Sequence, residues 1–207
     1  MDSILTHSPD YYVLGASPSP AAFDGRVTPE LTSAEAAALL RGEHLPESTL
    51  RIDQTAGRKP GDFLWLSVGP IISKHVWRYL GDAGLVGWRA YGVLVYDKSG
   101  VLFPDYLGLS ITGRCSSITH DSRDSALFYE AGVRSDLPYY RGLVIDHGDW
   151  APADFFMAAD QQTRYICMTK KARDILTQVK VSNVRIRHIS EVRVPANDRP
   201  QRLKTNL

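Results

Sequence analysis

Two cysteines, Cys115 and Cys167, are too few and too far apart for a disulfide framework, and no Cys-x-x-Cys or Cys/His spacing supports a zinc site. Neither sign of charge dominates. The 24 Lys plus Arg stand against 23 Asp plus Glu, so there is no global electrostatic argument for nucleic acid or a membrane surface. No apolar run approaches the roughly 20 residues that cross a bilayer, and the opening residues lack the positive and continuous apolar segments of a signal peptide. These absences predict a soluble protein of the reduced cytoplasm. The 43% of residues that are hydrophobic suffice for a packed core.

Charge is uneven along the chain. From Lys170 onward there are ten Lys/Arg and three Asp/Glu, which leaves fourteen and twenty for residues 1 to 169. The simplest reading is a solvated basic face followed by a basic tail.

Tyr11-Tyr12-Val13-Leu14 reads as an opening strand, and Thr32 with Glu35 forms a capping box for a short helix stopped by Gly42, with Leu31, Ala34, Ala38 and Leu39 toward a core. The most organised stretch runs from Ile72 to Tyr96 as strand, helix and strand, and Ile166 to Val192 matches it at an offset of 96 residues. Ser73 and Thr169 are hydroxyl caps, Gly87 and Asn183 are turn residues that tolerate positive φ, and apolar positions three and four apart line each helix. In the first unit Val76, Trp77, Tyr79, Leu80 and Ala83 supply the helical face, and Trp88 to Tyr96 reads as a strand buried on both faces. Tyr106 to Thr112 is a further strand, 119 to 141 the longest loop region, and Gly142 to Ile145 a short strand. The expected fold is α+β, a single unit over 1–195 with pseudo-repeats about 62–96 and 154–192 on mostly antiparallel sheet. Residues 196–207 read as a flexible C-terminal tail.

Two constellations carry potential chemistry. Asp146, His147, Asp149 and Asp154 place carboxylates and an imidazole in one turn, as a hard metal or acid–base work would require. The same Asp/Gly pattern is ordinary turn chemistry, and no EF-hand or metalloprotease spacing is present. Cys115 adjoins Arg114, whose charge would lower a thiol pKa, with His120 as a nearby base. The Gly-Arg-Cys order matches neither a phosphate loop nor a protease signature.

Aromatics at helical or strand spacing usually pack in a core, so Trp65, Trp77 and Trp88 are read as core. Trp150 and the Tyr139-Tyr140 pair lie among turn residues and read as exposed anchors, since Trp, Tyr and Arg dominate interface hot spots. Lys170, Lys171, Arg173, Arg185, Arg187, His188 and Arg193 are the C-terminal basic set. Arg185 and Arg187, two apart among apolar residues, read as the wet face of an edge strand, and no nucleic-acid motif accompanies them.

With these residues laid out, the chain resembles a family of bacterial immunity proteins encoded beside polymorphic toxins, the group named for a myxobacterial immunity domain. The resemblance rests on Tyr11-Tyr12-Val13-Leu14, Ile72-Ser73-Lys74 through Gly87-Trp88, Tyr106-Leu107-Gly108-Leu109 leading to Thr112-Gly113-Arg114-Cys115, Trp150, Asp154-Phe155-Phe156 and Thr169-Lys170. It spans roughly residues 10 to 192. Comparable chains often carry a second glycine after Arg-Cys, where this one has Ser116. The resemblance implies a non-enzymatic α+β scaffold that binds a cognate toxin stoichiometrically in the cytoplasm as a monomer or weak homodimer. It implies no catalytic residues, cofactor, metal, nucleic acid or membrane.

The expected partner-binding residues are Tyr106, Arg114, His120, Tyr139, Tyr140, Asp146, Asp149 and Trp150. A basic toxin cleft would meet the acidic part from Asp121 to Asp160, and an acidic toxin surface the basic C-terminal module. The competing readings are a small hydrolase or transferase using Cys115 or the Asp146/Asp149/Asp154 turn, and a structural adaptor without a toxin. Replacing Trp77 or Leu80 is expected to unfold the chain, and replacing Arg114, Tyr140 or Trp150 to spare it.

Overall fold

The computed structural model describes residues 10–18, 22–58, 60–120, 139–160 and 164–195. The tail assigned to 196–207 and most of the loop region assigned to 119–141 lie outside the described residues.

In chain order, strands β1 (Tyr11–Ala16) and β2 (Asp24–Thr28) precede helix α1 (Ser33–Leu40) and strand β3 (Leu50–Ala56). The hairpin β4 (Phe63–Leu66) and β5 (Gly69–Ser73) leads into α2 (Lys74–Asp82) and the long strand β6 (Trp88–Tyr96). Four strands follow: β7 (Leu102–Phe103), β8 (Tyr106–Ile111), β9 (Gly113–Cys115) and β10 (Ser117–His120). After these come β11 (Tyr139–Arg141), β12 (Leu143–Asp146) and a second hairpin, β13 (Phe155–Ala158) with β14 (Ile166–Thr169). The described chain ends with α3 (Lys170–Gln178), β15 (Val184–His188), a 3-10 turn (Ile189–Glu191) and β16 (Arg193–Pro195).

The protein is α+β and mostly antiparallel. One sheet runs β2-β3-β6-β8-β5-β4 with β7 beside β6, a second runs β15-β1-β14-β13-β9, and β10-β12 and β11-β16 are separate pairs. Only β3–β6 and β9–β13 are parallel among the described strands.

Side-chain alternation divides each sheet between two cores. Phe63 and Ile72 of one sheet, Phe155, Met157, Ile166 and Met168 of the other, and Val76, Leu80, Ala172 and Leu176 from α2 and α3 form a shared central cluster. The intervening Leu64 and Ile71 face the opposite way, into a second cluster closed by Leu39 of α1. Phe156, Ala158 and Cys167 face a third, covered by Ile118, Leu143 and Val192. Neighbouring residues on β13 and β14 thus serve different cores, which explains their uninterrupted apolar sequence.

α2 and α3 begin alike. Ser73 Oγ accepts from the Val76 amide at 3.3 Å and Thr169 Oγ1 from the Ala172 amide at 3.4 Å. Each hydroxyl also donates to an aspartate on the hairpin before it, Ser73 to Asp62 at 2.9 Å and Thr169 to Asp154 at 2.9 Å. Each aspartate then reaches across to the turn after the other helix. Asp62 Oδ2 accepts from the Ser182 amide at 2.9 Å and hydroxyl at 2.8 Å, and Asp154 Oδ2 accepts from the Val86 amide at 3.0 Å. Gly87 and Asn183 hold these turns at φ of 89° and 60°. At Gly87 a Cβ would come within 2.1 Å of the Phe155 carbonyl oxygen, so glycine is required by contact as well as by φ.

Three packing expectations are corrected. On α2 only Val76 and Leu80 are buried, while Trp77 and Tyr79 are 40% and 41% exposed. A nine-residue helix buries a narrow stripe, and one residue along is over a quarter-turn away from it. On α1 the buried pair is Ala36 and Leu39 rather than Ala34 and Ala38. β6 is central but buried on one face only: Tyr91, Val93 and Val95 point into the second cluster, while opposite them only Trp88 meets the central one and Leu94 is 39% exposed.

Leu80→Ala should cost about 2–5 kcal/mol, whereas Trp77→Ala should change stability by less than about 1 kcal/mol, as urea unfolding will measure. Burial alone would raise the Asp62 pKa, but the bonds from Ser182 and Ser73 outweigh it and hold the carboxyl below its ordinary 3.8. Its contribution to stability is therefore complete above that value and is lost as pH falls through the lowered folded value. Asp62→Asn should be less stable than the parent at neutral pH, and the difference should shrink in thermal melts below about pH 4.

Candidate functional site

The residues read as chemical candidates are mostly engaged in structure. Cys115 is fully buried at the end of β9, its Sγ 3.7 Å from the Ser117 carbonyl oxygen. Burial, reinforced by Asp160 and Asp146, pushes its thiol up to about 11; Arg114 acts the other way and is outweighed. Cys167 is also fully buried, and burial raises its thiol further. Burial and the two aspartates thus act against the thiolate that the competing reading places beside Arg114.

Arg114, read from the sequence as a partner contact, is largely buried. Its guanidinium turns inward and donates to the carbonyls of Ile111 at 2.7 Å, Gly113 at 2.8 Å and Arg41. Arg41, itself buried, donates to the carbonyls of Ala158 at 2.8 Å and Ala159 at 3.3 Å and pairs with Glu43 at 2.6 Å. The two arginines bind the C-terminus of α1 to β13 and β9, so replacing Arg114 should weaken the fold, contrary to the sequence expectation.

The Asp146–Asp154 turn separates into different tasks. Asp146 Oδ1 accepts from the Gly148 amide at 3.0 Å, a local turn bond, and Asp149 is exposed. Asp154 belongs to the interlocked turns. His147 packs between Tyr11 and Phe156 at ring distances of 5.2 and 5.5 Å. Among the described residues no group of three His, Cys, Asp or Glu is placed to hold a metal ion. No described helix is long and apolar enough to cross a membrane.

The remaining expected contacts are scattered. Tyr106 donates its hydroxyl to the Gly61 carbonyl at 2.9 Å, and burial pushes its pKa up to about 12. Tyr140 is buried and stacked on His120 at 4.4 Å, a structural role rather than the exposed anchor expected. Tyr139 is half-buried beneath the Arg193 guanidinium at 4.9 Å. Trp150 is 49% exposed.

Tyr139 lines a concavity with a distinct chemical character. A pocket of about 540 Å³ is lined by Tyr139, Arg141, Arg185, Arg187, Glu191 and Arg193. Arg185 and Arg187 rise from β15, an edge strand as expected. Arg141 and Arg193 stand directly opposite one another across the β11–β16 pair. The Arg-x-Arg spacing on β15 was visible in the sequence. Arg141 was not singled out, because nothing local shows that β11 pairs with a strand beyond α3.

No family model matches the chain, and no curated protein matches it. The buried thiols give a direct check: Ellman's reagent at pH 8 should find neither cysteine reactive in the folded protein and both after denaturation.

Proposed function

We propose that the chain is a cytoplasmic immunity protein that binds and neutralises a cognate secreted or contact-delivered bacterial toxin by stoichiometric occlusion, as a monomer or weak homodimer. The observation that carries this reading is the set of tyrosine and arginine side chains held around a concavity by paired strands, since Tyr, Trp and Arg are the residues that dominate protein interfaces. Strand-borne contacts lose little entropy on binding, which favours tight inhibition. The resemblance to the immunity family named for a myxobacterial domain supports the same reading. On this view the strand–helix–strand units are pseudo-repeats, a duplicated frame whose outer strands carry the contacts. Trp150, 49% exposed, is a second contact outside the pocket lining.

On this reading the neighbouring reading frame encodes a toxin domain, and co-expression with that domain should give a one-to-one complex in gel filtration and protect the host cell. Trp150→Ala should weaken that complex by about tenfold or more without shifting the melting temperature. Absence of any complex with the unaltered chain would overturn the reading.

A further inference from the structure

Some of the chain's arginines have carboxylate partners. Arg41 pairs with Glu43 at 2.6 Å, Arg51 with Asp53 at 2.8 Å and Arg173 with Asp174 at 2.8 Å. Arg141, Arg185 and Arg187, which line the pocket, form no ion pair among the described residues. Like charges directly opposed across a strand pair, as Arg141 and Arg193 are, destabilise that pair. Arg185 and Arg187 share one face of β15, where Gly15 of β1 is the cross-strand partner of Arg185 and a Cβ on Gly15 would meet nothing within 4 Å. The pocket therefore concentrates positive charge around open space on paired strands.

We infer that this pocket is the docking site for a carboxylate-bearing segment of a partner protein, with the guanidinium forks of Arg141, Arg185 and Arg187 receiving its Asp or Glu side chains. Guanidinium groups bind carboxylates in bidentate pairs, and the pocket's volume accommodates side chains rather than a whole domain. An extended nucleic-acid polyanion fits less well. The net positive charge lies in the C-terminal part, residues 1 to 169 carry more Asp/Glu than Lys/Arg, and Glu191 lies in the lining itself. If the immunity reading holds, on which the partner's identity alone rests, the toxin presents an acidic surface here.

The test measures fluorescence anisotropy of a labelled octaglutamate peptide with the full chain at low salt. Saturable binding is expected, weakening as salt screens the charges. It should fall by about tenfold or more in the double variant R185E/R187E and in Gly15→Glu, which sets a carboxylate beside Arg185, with circular dichroism and melting unchanged. If charge reversal disturbs the strand, R185Q/R187Q replaces it. No binding by the parent chain, equal binding by the variants, or displacement of the peptide by tighter binding of a short DNA duplex each overturns the inference. The same variants mixed with the neighbouring toxin separate the two claims. A parent complex that R185E/R187E leaves intact sinks the pocket assignment alone, while no parent complex sinks the immunity reading and leaves the peptide titration to judge the pocket.

Discussion

Two aspartates hold the architecture together. Asp62 and Asp154 each accept a bond from the hydroxyl that caps the helix of their own unit and from a backbone amide in the turn following the other helix. An ionised carboxylate bonded in this way binds more strongly than a neutral acceptor would. The exchange joins hairpin, helix start and opposite turn, so neither sheet can shift relative to its helix without disturbing the other. The main chain tightens the same joint, with the amides of Asp154 and Phe155 donating to the Val86 carbonyl and those of Thr112 and Gly113 to that of Gly87.

Around that joint the molecule builds three apolar clusters, and the polar groups that might have done chemistry are drawn into the frame. Cys115 and Cys167 become small buried hydrophobes whose thiols are kept protonated. Arg41 and Arg114 serve backbone carbonyls between α1 and the five-stranded sheet. What remains outside is an uneven electrostatic surface whose arginines are concentrated where β15 and the β11–β16 pair meet one pocket. Such a surface favours recognition of opposite charge, with rate and specificity affected more than gross stability.

Much of the frame was legible locally. The Thr32–Glu35 capping box, the hydroxyl caps at Ser73 and Thr169 and the turn residues Gly87 and Asn183 all act through bonds or dihedrals within a few residues of themselves. The exposure of Trp77 is not legible locally, because a helical pattern establishes that a stripe exists without fixing its width, which depends on how far the sheets extend beneath it. The polar neighbours of Tyr140 suggest an exposed position, yet pairing of β11 with β16 and stacking on His120 bury it.

The candidate site was legible only in part. Arg185-x-Arg187 declared a strand with one wet face, since a period of two is a local property of the extended backbone. The sequence by itself thus determined the α+β class, the helix starts, the turns and the basic character of the C-terminal part. Tertiary structure decided which arginines face one another, that both thiols are buried and which aspartates interlock. Each of those depends on pairing between segments far apart in the chain, and such pairings come from packing of complementary faces, which no local pattern encodes.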